Sequence, residues 1–548
     1  MNVAKRLGEQ SLKNPNQLAI VSPSGSHRQK TNRSYVSISM SDLDSRSSAI
    51  AAGLQSMGIG PGKRIGLLVR FGEDFITLVF AMLKTGATMI LIDPGMGRKN
   101  ILQCLEATNP DGFIAIPIAH AIVRMLSSRF PNAKLNVLAG RWLPGLPSIT
   151  LSQLEKSSPK DYRDPIHDWE AESAIIFTTG STGPPKGVLY THKTFHSQID
   201  LIASRYGILS GGVDLSCFPL FGLFNAVMGT TTILPDMDPT RPADVDPPRL
   251  LDAIEQWQIG QSFGSPALWT RMGNYCQQTG RSMHTLKRVL SAGAPVPPRV
   301  LQCIRSVIHP DGTMYTPYGA TEALPIASIE SRDVLGETAA KTANGAGTCV
   351  GSRFPSMEWR VIRITDAAMH TMQETELLPI GEIGELVVSG PVVSTRYVTR
   401  LDQNAIHKLS DDDRVWHRMG DVGYLDSQDR FWFCGRKSHR VTTAHGTLHT
   451  EQVEAIVNSH PCIYRSSLVG TGHSPNQKPL VILEPWQKSS TPMQLEKEIA
   501  DKLKNYELTK NIADTVVYPK KLPTDIRHNS KIFREQLTSW ANEHRAER

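Results

Sequence analysis

At 548 residues the chain is too long for one ordinary hydrophobic core, so two or more domains are expected. With 40% hydrophobic and 20% charged residues it is globular in composition, and a net charge of +7 without a Lys/Arg block is too mild to mark a nucleic-acid binder. Seven cysteines scattered at 104, 217, 276, 303, 349, 434 and 462, with no CxxC and no His/Cys cluster, exclude a zinc module and read as reduced thiols of a cytoplasmic protein. The first residues, MNVAKRLGEQSLKNPNQ, hold no apolar h-region, so no signal peptide is expected. Ser41 reads as the N-cap of a helix to about Met57, with Leu43, Ile50, Leu54 and Met57 on one face and Gly58 after it. Ile65 to Val69 reads as a buried strand, Phe75 to Lys84 as a helix stopped at Gly86, and Met89 to Ile92 as a strand closed by Asp93-Pro94-Gly95. This alternation predicts α/β layers with parallel strands.

Ser173 to Phe177 and Gly187 to Tyr190 read as strands on either side of a Gly-rich loop, and a helix follows Thr191 with Phe195, Ile199, Ile202 and Tyr206 on one face. The uncharged run Leu215 to Pro235 is long enough to span a bilayer. Pro219, Gly222, Asn225 and Gly229 interrupt it, so it reads as core beside an apolar pocket, and no transmembrane segment is expected. Two further αβ stretches reach about Ile308, Ser331 to Thr348 reads as a polar connecting loop, and short β runs begin at Gly381. Past Gly435 the pattern is α+β, with strands near Ser467–Val469 and Leu480–Leu483 and a helix capped by Thr491 with Pro492 at its first position. The expected architecture is α/β: a large multi-layer N-terminal domain, residues 1–435, and a small mobile α+β C-terminal domain, residues 436–548.

The Gly-rich loop is FTTGSTGPPKGV, Phe177 to Val188. Glycines let backbone amides approach a ligand, and hydroxyls and a lysine add donors, so the string suits a polyphosphate. It is not a Walker loop, because Lys186 follows two prolines and precedes Gly187. Four more strings follow in order: SAGAP (Ser291 to Pro295), YGATE (Tyr318 to Glu322), GDVGYLDSQDRFWFCGR with Asp421 and Arg436, and LPTDIRHNSKI with Lys531. Read alone, each is a turn, a cap, a surface ion pair or an exposed lysine. Taken together and in this order they resemble the ANL superfamily of adenylate-forming enzymes, which includes acyl-CoA synthetases, peptide-synthetase adenylation domains and luciferases.

The resemblance implies roles. Thr178, Ser181, Thr182 and Lys186 would hold the β- and γ-phosphates of ATP; Gly293, Ala294 and Pro295 would line the adenine slot, with Tyr318 and Gly319 beside the base. Thr321 would bind the α-phosphate, Glu322 would help hold Mg²⁺, Asp421 would accept from the ribose hydroxyls, and Arg436 would reach the ribose and phosphate side. Lys531 would bridge the substrate carboxylate and the α-phosphate, and Ser438 occupies the hinge position of a C-terminal domain that swings between half-reactions.

Further strings, LIDPGMGRKNILQCLEATNPDGFIAIP, SFGSPALW, LPDMDPTRPA, FCGRKSHRV and DIRHNSKIFREQL, resemble the β-lactone synthetases of bacterial long-chain olefin biosynthesis, over about Asn2 to Leu537. Those enzymes adenylate a long-chain 2-alkyl-3-hydroxyalkanoic acid, whose own hydroxyl then displaces AMP. The resemblance also implies a thiolase, a reductase and a decarboxylase of that pathway as partners. Where CoA ligases usually carry Ile-Lys and then G-x-x-I-x-P-x-E-I-E, this chain has HRVTTAHGTLHTEQVE from His439, with Thr442 in the lysine position and no proline. Two acceptors stay open on sequence alone: the substrate hydroxyl, or CoA as in a long-chain acyl-CoA ligase; an inactive nucleotide-binding relative is the third reading. His439, His445 and His449 are candidate bases for ring closure, with His445 preferred. Phe221, Gly222 and Phe224, with Gly264 and Ser265 in the turn from Phe263 to Pro266, are the expected lining of an alkyl channel, widened at Gly222 where relatives carry His.

Overall fold

In the computed structural model, which describes residues 2–24, 34–166, 168–178, 184–218, 222–486, 491–524 and 531–546, the apolar run before the Gly-rich loop becomes strand Glu172–Thr178. It belongs to a sheet ordered Leu135–Leu138, Gly112–Ala115, Arg64–Leu68, Thr88–Leu91, Glu172–Thr178, Lys186–Thr191. Neighbours are parallel except the last two, a hairpin that pairs Thr178 with Lys186 across the Gly-rich loop. Helices Met40–Ser56 and Glu73–Thr85 bury Ile50, Leu54, Val79 and Leu83 in the core beside this sheet. The second ends at Gly86, whose φ of 73° is the left-handed turn that glycine adopts without strain. The first begins two residues before the expected cap. Ser39 accepts from the Asp42 N–H at 3.1 Å while the Asp42 carboxylate accepts from the Ser39 N–H, a reciprocal capping box, and Asp44, three residues after Ser41, pairs instead with Lys84.

A second, larger sheet is parallel through its centre, Thr231–Ile233, Val213–Ser216, Gln261–Phe263, Arg288–Leu290 and Thr313–Ala320. It turns antiparallel from Ala323–Glu330 onward, through Thr348–Arg353, Arg430–Arg436, Arg414–Leu425, Gly384–Ser389 and Glu358–Ile362. The expectation of parallel strands therefore describes the inner parts of two mixed sheets. The uncharged run forms the strands Val213–Ser216 and Thr231–Ile233 with a short 3-10 turn, Ala226–Met228, between them. Among the described residues no helix is long and apolar enough to cross a membrane. The expected loop at Ser331 to Thr348 is instead helical through Ser331–Asp333, Val334–Thr338 and Ala339–Ala343. Val334 and Leu335 pack on the core and Glu337 pairs with Lys341 at 2.7 Å, so its polar residues are the solvent face of a short helix.

Residues from Val441 onward have an apolar cluster of their own, in which Val453, Ile456, Leu468, Val481, Leu495 and Ile499 are buried. A three-stranded sheet of Ile463–Thr471, Lys478–Pro485 and Asp514–Val517 carries it, flanked by helices Thr450–Asn458 and Pro492–Lys504. This module meets the rest through a few polar contacts, Gln452 Nε2 to the Gly345 carbonyl and Thr348 Oγ1 to Glu451, both 2.9 Å, and through the Arg299 guanidinium lying 4.5 Å from the Trp486 ring centre. At the junction, fully buried Glu385 accepts from Arg418 at 2.6 Å and from Lys437 at 3.1 Å, and Arg418 also donates to the carbonyls of Thr365 and Ala367. Removing the one carboxylate leaves two buried cations unpaired. Glu385→Ala is expected to lower the unfolding free energy by about 3–5 kcal/mol in urea titrations; a loss below about 1 kcal/mol would contradict this account.

Candidate active site

Strands Arg414–Leu425 and Arg430–Arg436 pair so that Asp421 and Arg436 face each other directly. Their side chains form an ion pair at 2.8 Å, and the Tyr318 hydroxyl donates to the other Asp421 oxygen. Asp421 is buried, which raises its pKa against the opposing pull of Arg436 and Tyr318. Tyr318 lies near the end of strand Thr313–Ala320, and Gly319 allows the close turn into Thr321 and Glu322, since a Cβ there would lie 2.6 Å from the Ala323 carbonyl. Gly293, Ala294 and Pro295 sit in the loop after strand Arg288–Leu290, with Gly293 at φ 95°. These segments occupy the carboxyl ends of the parallel strands, the edge where open α/β sheets bind ligands.

Beside them lies a cluster of cations around one carboxylate. Buried Glu322 accepts from the Tyr397 hydroxyl at 2.8 Å. Lys186 lies 4.9 Å and Lys408 5.4 Å from the centre of the Tyr397 ring, and Lys186 Nζ is 3.2 Å from His407 Nε2. Burial lowers both lysines, Lys408 to about 7, with Glu322 opposing the shift. Burial and the adjacent lysines also push His407 down to about 3 and hold His417 well below its ordinary value, so both imidazoles are neutral. The Thr178 hydroxyl is buried without a hydrogen-bond partner. Ser181 and Thr182 lie outside the described residues. Tyr397, His407, Lys408 and His417 were not singled out by the sequence reading: they lie outside every phosphate-loop pattern, and an aromatic ring between two lysines is a three-dimensional signal. Among the described residues no group of three or more His, Cys, Asp or Glu side chains could hold a metal. A single carboxylate working with substrate phosphates is nevertheless a donor set that suits Mg²⁺, and Glu322 fits it.

An apolar cavity adjoins this cluster. Tyr190, Phe195, Ile199, Phe224, Phe263 and Leu290 line it, and the Tyr190 hydroxyl donates to the Thr321 carbonyl at 2.7 Å, which ties the cavity wall to the turn that bears Thr321 and Glu322. Three expected lining residues face elsewhere. A Cβ on Gly222 would meet Ser216 Oγ at 1.9 Å, so this glycine closes a turn against the sheet and does not widen the channel. Gly264 packs on Leu268 and Trp269, and Ser265 caps helix Pro266–Thr279 by accepting from the Leu268 N–H. Phe221 lies outside the described residues.

On the C-terminal side, burial, followed by the nearby charges of Arg534, Arg436 and Lys531, lowers the His439 ring to about 3. Burial lowers His449 to about 4. His445 is exposed at the tip of the hairpin Val441–Thr443/Gly446–Leu448, and Ser438 is exposed just after Lys437. Because the folded site excludes the Lys408 proton, the unfolded chain binds more protons between about pH 7 and 10, and stability should rise with pH across that window. Lys408→Met is expected to remove that part of the slope; identical pH slopes in urea titrations of the two proteins would contradict it.

Residues 7–398 match the AMP-binding enzyme family. The chain is 43% identical to an olefin β-lactone synthetase of Stenotrophomonas maltophilia, over 99% of this chain and 98% of the relative, and 42% identical to one of Xanthomonas campestris over the same shares. It shares the fold of the ATP-bound structure of MatB from Rhodopseudomonas palustris, with a TM-score of 0.78 at 18% identity over 99% of each chain. The chain belongs to the AMP-binding, adenylate-forming enzymes and, among them, to the olefin β-lactone synthetase family.

Proposed function

We propose that the protein uses ATP to adenylate a long-chain 2-alkyl-3-hydroxyalkanoic acid and then closes the acid's own 3-hydroxyl onto the activated carbonyl, releasing a β-lactone and AMP. The observation that carries this reading is the apolar cavity whose wall, through Tyr190, holds the turn that bears Thr321 and Glu322. An alkyl chain anchored there gains about 0.8 kcal/mol per buried methylene and leaves its carboxylate beside the cations. ATP is a substrate, with its base by Tyr318 and Gly293–Pro295, its ribose on Asp421, and its phosphates among Thr178, Ser181, Thr182, Lys186 and Thr321. Mg²⁺ held at Glu322 would supply charge neutralisation at the phosphate oxygens. Lys186 and Lys531 screen the approach of one anion to another, and binding removes the entropy of encounter. The carboxylate oxygen bonds to the α-phosphorus and the bond to pyrophosphate breaks.

In the second step the 3-hydroxyl oxygen bonds to the acyl carbon, the acyl–phosphate bond breaks with AMP leaving, and the hydroxyl proton passes to a base. His439 and His449 are poor acceptors at neutral pH because burial depresses both. We therefore assign the base to His445, the exposed one of the three. The hairpin that carries it supports an acceptor other than CoA. Thr442 stands where CoA ligases place a lysine, and its backbone is locked to Gln477 by two hydrogen bonds. We place the domain boundary after Lys437 with the hinge at Ser438, and the protein in the cytoplasm beside the other olefin-pathway enzymes.

Lys531→Ala is expected to retain ATP binding and lose pyrophosphate release, since its charge is needed as negative charge gathers at the α-phosphate; normal release from the variant would end the assignment. With wild type, a 3-deoxy acid should be adenylated without forming lactone, and His445→Ala should stall at the adenylate. Product mass decides the acceptor: an acyl-thioester that requires added CoA would favour the acyl-CoA ligase reading instead.

A further inference from the structure

The cavity is apolar apart from Gln198, which donates to the Leu324 carbonyl at 2.9 Å near the mouth, and a polar cluster at the deep end. Leu290 and Phe263 lie at the carboxyl ends of their strands, next to the catalytic turns, while Gln261 and Asp214 are one side-chain repeat deeper on the same sheet face, adjacent in register with Arg288 beyond. There Asn225 Nδ2 donates to Asp214 at 2.8 Å, Gln261 hydrogen-bonds Asp214, and Arg288 Nε donates to Gln261 Oε1 at 3.3 Å. Asn225 is itself fixed, since its carbonyl accepts from the N–H groups of Met228 and Thr230. An alkyl end cannot replace these hydrogen bonds, and displacing any of the three groups would leave buried polar atoms unpaired.

We propose that Asp214, Asn225 and Gln261 form the floor of the alkyl cavity and set the maximum length of the chain that enters it. The inference rests on the adenylation reading and adds to it the residues that determine specificity. A polar cluster pinned from three strands and a turn acts as a rigid stop, whereas the walls of Ile199, Phe195 and Phe224 can adjust around a chain of any shorter length.

The test measures kcat/KM for pyrophosphate release with 2-alkyl-3-hydroxy acids in which one alkyl chain is lengthened at a time, and with simple fatty acids as a parallel series. For the chain in the cavity, wild type should gain about fourfold per added methylene and then stop gaining at a definite length. Gln261→Ala and Asn225→Ala should each move that break to longer chains, while Gln261→Met, of similar volume, should leave it in place. Reading the position of the break, scaled to the shortest acid, separates the effect from a general loss of activity. A break at the wild-type length in both alanine variants would overturn the proposal and make the cluster a structural one. No turnover of any 3-hydroxy acid, with a normal shift among the fatty acids, would overturn the substrate reading and leave the floor standing.

Discussion

Glu385 is the carboxylate on which the rest of the arrangement depends. It holds Arg418 on the strand that also carries Asp421, and Lys437 immediately after the strand that ends in Arg436. Both cations are drawn to one buried point, so the two strands that present Asp421 and Arg436 are fixed in register by charge as well as by the backbone ladder. The same contact limits where the chain can pivot. Arg436 is held in the sheet by Asp421 and Lys437 by Glu385, which supports the proposed rotation of the C-terminal module about Ser438. Such a rotation would carry Lys531 and the His445 hairpin and leave Arg436 behind.

The catalytic cluster is assembled against its own electrostatics. Lys186 and Lys408 flank one Tyr397 ring, with Glu322 as the anion that opposes the shift in both. Two imidazoles that could have added charge are kept neutral by burial beside those lysines. A site with excess cations and depressed lysine pKa values is poised to bind an anion, because the incoming phosphate charge relieves a repulsion already present. The buried, unpartnered Thr178 hydroxyl fits the same requirement for a ligand atom.

The sequence was most legible where function requires particular residues at particular spacings. Asp421 and Arg436 were singled out from one string without being paired, and the structure makes them direct cross-strand partners. Tyr318, Glu322 and Lys186 likewise lie where loops meet strand ends. It was least legible where a role arises from packing. Gly222 suggested an open channel because it lacks a side chain, but its smallness lets a turn close on Ser216. Tyr397, His407 and Lys408 come from a stretch without periodic or glycine signal and gain meaning only by gathering around Glu322 and Lys186, Tyr397 on Glu322, His407 beside Lys186 and Lys408 over the Tyr397 ring. Two Ser-x-x-Asp frames overlap at this helix start, Ser39 with Asp42 and Ser41 with Asp44; the first forms the capping box, while Asp44 pairs with buried Lys84 at 2.6 Å. The polar segment after Ser331 was read as loop by composition, although two apolar residues and an i,i+4 ion pair are enough to hold a short helix on the core.

Tyr190 joins two parts of the site that could have been independent. Its ring lines the alkyl cavity and its hydroxyl holds the Thr321 carbonyl at 2.7 Å. On the proposed reading, an alkyl chain that fills the cavity would press on the same ring that holds the turn bearing Thr321 and Glu322. Free energy gained far from the reacting carbon can thus be expressed as orientation at that carbon, so an acid too short to reach Tyr190 is handicapped after it has bound as well as before.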